Sequence, residues 1–370
     1  MSGGGQGPKG PRAALWRGLA DPDLLIVACA LLLAGFCLVG LQWMFTSGRF
    51  TVVPEARFLR APRDDWGHVS WQIGSLKRHP PKKTAVYLLG GSNVRECIQT
   101  EASLQQAIAE RSGIDTEVHD LASTNQHFGE SMAIVENAPL TPGLMVIGVN
   151  QTRFSYDPAS IRLQLQGREL LLRSPALRQF TMSQGSGGRF QLTILPGIAN
   201  YVSGWVQKHE KTLAKGRLTV TPYLKNRYTE TQVWSAKRKR SRVDLWLGNR
   251  GAPGGDFDKY FEYDAALLEA MVKLATERGF VPVLMEVPQN EEIIRGDFDQ
   301  YKQVYQPFCE QLAQKYGGYY IDVGEDTGLV NADFRDLTHL VEPGRAKWTS
   351  ALAAALAPIV PRTNDGEVAP

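Results

Sequence analysis

Apolar and polar positions divide this chain into a tail, one long apolar run and a zone of alternating periods. Residues 1–13 carry Gly, Pro, Lys and Arg with no apolar repeat, which predicts a disordered tail continuing to about residue 23. Residues 24–45 hold no charge, and Gln42 near one end is their one strongly polar side chain. A helix of that length spans roughly 30 Å, the thickness of a hydrocarbon layer. Trp16 and Trp43 stand at or beyond its two ends, where interfacial tryptophans belong. The run is longer than the apolar part of a secretory signal and lacks a small-residue cleavage site, so a retained membrane anchor is expected. Residues 46–83 are punctuated by Pro54, Pro62, Pro80 and Pro81, and Lys77, Arg78, Lys82 and Lys83 make them basic. An irregular linker is expected there.

From residue 84 the period changes. Residues 83–89 form an apolar, strand-like run that stops at Gly90 and Gly91. Ser92 and Asn93 follow, then a helical spacing of Val94, Cys97, Ile98, Leu104, Ala107 and Ile108. Residues 116–121 predict a second strand, 122–129 a polar loop, and Met132 and Ile134 lie in the next helix. Residues 143–150 predict a third strand, apolar throughout, as a central parallel strand should be. The alternation resumes with a helix over 264–278 closed by Gly279, a strand over 281–287, a helix over 299–316, a strand over 319–323 and a helix over 342–359. Strand and helix in turn predict an α/β fold with a parallel sheet over 84–362. Residues 363–370 predict a second disordered tail.

Residues 155–262 break this alternation. Helix-like pieces occur at 169–174 and 198–207, so a largely helical insertion is expected. Between 208 and 242 stand eleven lysines and arginines against Glu210 and Glu230, with Trp205, Tyr223, Tyr228 and Trp234 nearby. Such a stretch is either a solvated basic face or a contact for an anionic polymer or membrane surface.

Composition narrows this little. The chain has 370 residues, 43% of them hydrophobic, and a formal net charge of +3, which does not by itself suggest nucleic acid. The four cysteines are scattered without metal-ligand spacing. Free thiols are expected, with a Cys97–Cys309 disulfide left open. Lys9, Arg12 and Arg17 precede the anchor and Arg49 and Arg57 follow it. That mild bias places the N-terminus inside and the rest outside the cytoplasm, in a bacterium the periplasm.

The chemistry concentrates at predicted strand ends. Ser92 lies where a strand turns into a helix, either as a helix cap or as a nucleophile beside backbone N–H groups that suit an anion. Asn150 ends the third strand. His339 lies three residues after Asp336, between the fifth strand and the last helix. In an open α/β sheet all three loops come to one edge.

The motifs Gly90-Gly91-Ser92-Asn93, Gly148-Val149-Asn150 and Asp336-Leu337-Thr338-His339 occur in the order and setting of the SGNH/GDSL hydrolases. The chain resembles most their membrane-anchored, extracytoplasmic acyltransferase-like branch, which includes alginate O-acetylation proteins and DltD. The resemblance covers about 84–150 and 264–358. It implies a three-layer α/β/α, flavodoxin-like domain. It implies that Ser92 is the nucleophile, His339 the general base and Asp336 the residue that holds the imidazole. It further implies that Asn150 and the Ser92 N–H bind the oxyanion. Gly91 stands where the family usually has Asp. The family's second block does not align cleanly, so Ser123 and Gly129 are both candidates for a further oxyanion donor. Asp333 is a rival to Asp336. Asn93, Arg95 and His127 are candidate substrate-binding residues. No metal and no organic cofactor are implied. The expected activity is serine acyl transfer to an envelope polysaccharide, with a membrane-bound acyl donor protein as partner. The alternatives are an esterase and a non-catalytic assembly or carbohydrate-binding component.

Overall fold

The computed structural model describes residues 22–159, 171–184, 194–217, 220–251 and 255–361. The two tails expected at 1–23 and 363–370 therefore lie almost wholly outside the described residues. Helix α1 (Pro22–Thr46) is the apolar run. Its stretch Leu25–Thr46 is long and apolar enough to cross a membrane, and apart from its last turn, where Phe45 is buried, it is not packed inside the fold.

Residues 46–83 are not an irregular linker. They contain a short helix (Glu55–Phe58) and a 14-residue helix α2 (Asp65–Arg78), capped by the Asp64 carboxylate, which accepts from the Gly67 N–H. Val69, Ile73 and Leu76, at positions i, i+4 and i+7, bury one face of α2 in the main core.

Five strands follow: β1 (Thr84–Leu89), β2 (Thr116–Asp120), β3 (Gly143–Val149), β4 (Phe280–Glu286) and β5 (Tyr319–Ile321). All pair in parallel in the order β2-β1-β3-β4-β5. That is the flavodoxin-like order, and it reverses direction between β1 and β3. Strands β1 and β3 are buried along their whole length, since helices cover both faces. One face packs against α2, α5 (Phe128–Asn137), α9 (Phe257–Glu277) and α10 (Asp299–Lys315). The other packs against α4 (Glu101–Ser112) and α11 (Glu342–Leu356), with Trp348 at its centre. The expected α/β/α layering is thus the observed one. Cys97 lies in the second of these cores and Cys309 in the first, both as buried free thiols, so the layers of the fold keep them apart.

The helix expected after Ser92 is two helices. A single turn, α3 (Ser92–Arg95), ends at Glu96, and α4 starts afresh from Thr100, whose side chain exchanges hydrogen bonds with Ser103 in a capping box. In the insertion, α6 (Pro175–Ser183), α7 (Leu195–Leu213) and α8 (Ala236–Gly248) are helical. Residues 171–174, expected to be helical, have no regular secondary structure, and Ser174 instead caps α6. Residues 169 and 170 of that expectation lie outside the described residues. Helix α9 begins at Phe257, seven residues before the expected start, because Asp256 caps it by accepting from the Lys259 N–H.

The end of α1 is joined to the insertion. Phe45, Phe50 and Phe58 form a small core with Ile194, Ile198 and Tyr201. The insertion is therefore seated against the segment that follows the apolar helix.

Candidate active site

The tips of β1 and β3 flank the point where the strand order reverses, which is where open α/β sheets bind ligands. Strand β1 leads through Gly90 and Gly91 to Ser92, and β3 leads to Asn150. Gly90 has φ 156°. A Cβ there would stand 2.3 Å from Val94 Cγ2, and one on Gly148 would meet the same atom at 2.3 Å. The two glycines leave room for one valine, which lets the Ser92 turn sit tightly against the β3 tip. Gly91 has ordinary backbone angles (φ −70°), so the sharp turn depends on Gly90 alone. Since α3 is a single turn, its dipole is slight.

Ser92 Oγ lies 2.8 Å from His339 Nε2. His339 Nδ1 lies 2.9 and 3.0 Å from the two oxygens of Asp336. Asp336 Oδ1 also accepts the backbone N–H groups of Thr338 and His339, each at 3.1 Å. Arg335 Nη1 donates to its Oδ2 at 2.8 Å. Burial alone would raise the Asp336 carboxyl, but His339 and these N–H donors hold it well below the usual carboxylate range. It stays an acceptor, and that fixes His339 with Nδ1 protonated and Nε2 turned to the serine. Asp333, the rival, points elsewhere: its carboxylate pairs with Lys347 at 2.7 Å and accepts the Val330 N–H at 2.9 Å.

The loop that carries Asp336 and His339 is held from several sides. Phe334 and Leu340 bridge as antiparallel partners, and the Arg335 N–H donates to the His339 carbonyl at 2.8 Å. The insertion supplies the rest. Lys239 Nζ donates to the Phe334 carbonyl at 2.7 Å and the Asn331 carbonyl at 2.8 Å. The Trp234 N–H donates to the Arg335 carbonyl at 2.8 Å. Tyr228 packs edge-on against the His339 ring, centroids 5.1 Å apart.

A cavity of about 390 Å³ opens at Ser92 and His339. Asn93, His127 and Asn150 line it. Asn150 is fully buried. Its Oδ1 accepts from Thr152 Oγ1 at 2.7 Å, while its Nδ2 has no partner among the described residues. His127 caps α5 and stacks on Tyr156, centroids 3.8 Å apart. Burial, helped by Arg153, lowers His127 to about 3, so it is neutral at pH 7.

Three candidates lie elsewhere. Arg95 is 2% exposed and does not reach the cavity. It donates to Asp65 at 2.5 Å and Glu96 at 2.6 Å, tying α2 to the turn behind Ser92. Ser123 is fully buried, and its N–H is taken by the Gly90 carbonyl at 3.0 Å, so it is not an oxyanion donor. Gly129 is buried in the first turn of α5 and does not line the cavity. Asn125, Thr152, Arg153, Tyr156, Arg242 and Trp246 line the cavity without having been singled out. Asn125 carried a signal: a lone Asn in a Gly-poor polar loop can take positive φ, and here φ is 53°. Arg242 and Trp246 reach the site on α8, which no local pattern relates to Ser92.

No protein-family model and no curated protein matches the chain. Among solved structures, the crystal structure of a lipase from a goat rumen metagenome is similar over 74% of this chain and 97% of that one, at 9% identity and a TM-score of 0.34. A likeness of that size carries no argument about chemistry, and the fold stands on its own sheet order. Among the described residues no group of His, Cys, Asp and Glu could hold a metal ion.

Proposed function

We propose that this protein is a membrane-anchored, extracytoplasmic serine acyltransferase of SGNH type that acylates a hydroxyl of an envelope polysaccharide. The observation that carries the reading is the hydrogen-bonded chain from Ser92 through His339 to Asp336, 2.8 Å at its first link. Ser92 Oγ attacks the acyl carbonyl of the donor, and His339 Nε2 takes its proton. Asp336 stabilises the imidazolium through Nδ1–H. The negative charge that forms on the carbonyl oxygen is met by the Nδ2–H of Asn150, unpartnered among the described residues, and by the Ser92 N–H. His339 returns the proton to the leaving group, which departs and leaves the acyl group on Ser92. The acceptor hydroxyl then gives its proton to His339 and attacks the acyl-serine, and as the acyl–Ser92 bond breaks His339 returns that proton to Ser92 Oγ.

The apolar helix α1 supports anchoring, and its mild charge bias supports an extracytoplasmic domain. A membrane-bound donor protein fits that placement. The test uses the full chain in detergent with p-nitrophenyl acetate and a fluorophosphonate probe. Wild type releases p-nitrophenol and is labelled at Ser92, and Ser92→Ala does neither. An added glycan speeds p-nitrophenol release and gains the acyl group. A folded wild type that takes no label would overturn the reading. Release unaffected by any glycan would reduce it to an esterase.

A further inference from the structure

A second cleft, of about 580 Å³, lies beside the catalytic loop. Arg63, Arg227, Tyr228, Trp234, Arg238 and Arg335 line it, and no aspartate or glutamate does. Its walls come from three distant parts of the chain: the segment before α2, the insertion and the catalytic loop. The four arginines differ. Arg227 is committed to Asp65, and Arg335 donates to Asp336 at 2.8 Å. Arg63 and Arg238 have no carboxylate partner among the described residues. The Arg238 guanidinium lies 3.9 Å from the Trp234 ring, and that of Arg335 lies 4.9 Å from the same ring and 3.9 Å from Tyr228. Two guanidinium groups thus share one indole, with no acid in the lining to separate them. Stacking restricts their rotation, so little freedom is lost when an anion docks. An oxyanion between them also relieves the repulsion of like charges.

We infer that this cleft binds an oxyanion group, a carboxylate or a phosphate, carried by the chain that receives the acyl group. Its place supports that role. Arg335 is the residue before Asp336, and Tyr228 touches both Arg335 and His339. An anionic residue held in the cleft would lie beside the cavity that holds the reacting serine. The inference rests on the proposed function only for what the anion is attached to.

The test measures binding without turnover. In the Ser92→Ala full chain in detergent, calorimetric titrations use a polyuronate oligosaccharide, a polyphosphate of matched charge and a neutral glucan of matched length. An acidic oligomer binds, and Arg63→Gln with Arg238→Gln weakens it at least about tenfold. Lys208→Gln with Lys211→Gln removes the same charge from the exposed side of α7 and changes affinity less than about twofold. Arg63→Lys with Arg238→Lys keeps the charge and recovers part of the loss, which separates recognition from misfolding. Preference for the polyuronate assigns carboxylates, and preference for the polyphosphate assigns phosphates. Equal weakening by the two glutamine pairs, or equal binding of the neutral glucan, would overturn the inference. Since Ser92 is absent throughout, failure of the serine chemistry and failure of anion binding are separate results.

Discussion

Asn150→Ala separates catalysis from stability at one residue. In the resting fold the Asn150 side chain is fully buried, with Oδ1 satisfied by Thr152 at 2.7 Å and Nδ2 without a partner among the described residues. A buried donor left unpaired costs on the order of 1–3 kcal/mol, whereas one neutral hydrogen bond contributes about 1 kcal/mol. Alanine removes both, so the two changes roughly cancel and the unfolding free energy moves by about 1 kcal/mol or less. The transition state differs. In the proposed mechanism Nδ2–H meets the developing oxyanion there, and losing one such donor typically lowers kcat by about 10²–10³, or about 3–4 kcal/mol. Steady-state kinetics with p-nitrophenyl acetate and urea unfolding of the same preparation give the two numbers. The expected result is a fall in kcat of about a hundredfold or more with KM changed by less than about threefold. A folded variant whose kcat stays within about threefold of wild type would refute the oxyanion role. A loss of stability as large as the loss of rate would show that Asn150 only holds the β3 tip in place.

Two further outcomes follow from buried charge. Arg95→Ala breaks the pairs to Asp65 and Glu96 and should destabilise the fold by about 3–5 kcal/mol. KM for small esters should hold in whatever fraction stays folded, and a raised KM with unchanged stability would return Arg95 to the substrate site. Burial raises the Glu286 carboxyl from 4.5 to about 7, so the folded chain holds a proton that the unfolded chain has released. The stability this contributes is complete below about pH 4.5 and is lost as pH rises through about 7, by about 3 kcal/mol at most. Asp264, raised to about 8 by burial, acts in the same direction, so wild type must be compared with Glu286→Gln. Urea unfolding at pH 5 and pH 8 should show a smaller fall in the variant, and identical falls would refute the assignment.

The residues legible in the sequence share a property: each announces itself within a few positions of its own chain. Ser92 follows a strand and two glycines, Asn150 ends an apolar run, and Asp336 and His339 are three residues apart. The strand tips then bring these loops together, because a parallel sheet puts all its carboxyl ends on one edge. Residues whose role depends on a distant partner were not legible. Arg95 stands three positions from the serine, yet its partner Asp65 lies 30 residues upstream on a helix that four flanking prolines disguised as linker. The apolar spacing of Val69, Ile73 and Leu76 was present, but charges and prolines on either side obscured it.

The basic insertion shows why charge counted along a chain is a poor guide to charge presented at a surface. Lys225 is held by Asp120 at 2.7 Å and Glu101 at 2.9 Å. Lys239 is fully buried, with its ammonium on carbonyls of the loop that carries Asp336 and His339, and Arg240 pairs with Asp297. These cations hold the fold together. Arg238 neighbours Lys239 in sequence, yet on a helix adjacent positions point about 100° apart, so one can be buried while the other is exposed. Which of the eleven cations meets a ligand is therefore decided by helical phase and by acids far away in the chain. The same run that anchors the His339 loop from behind can present arginine to an anion in front, and neither function is visible until the run is folded against the sheet.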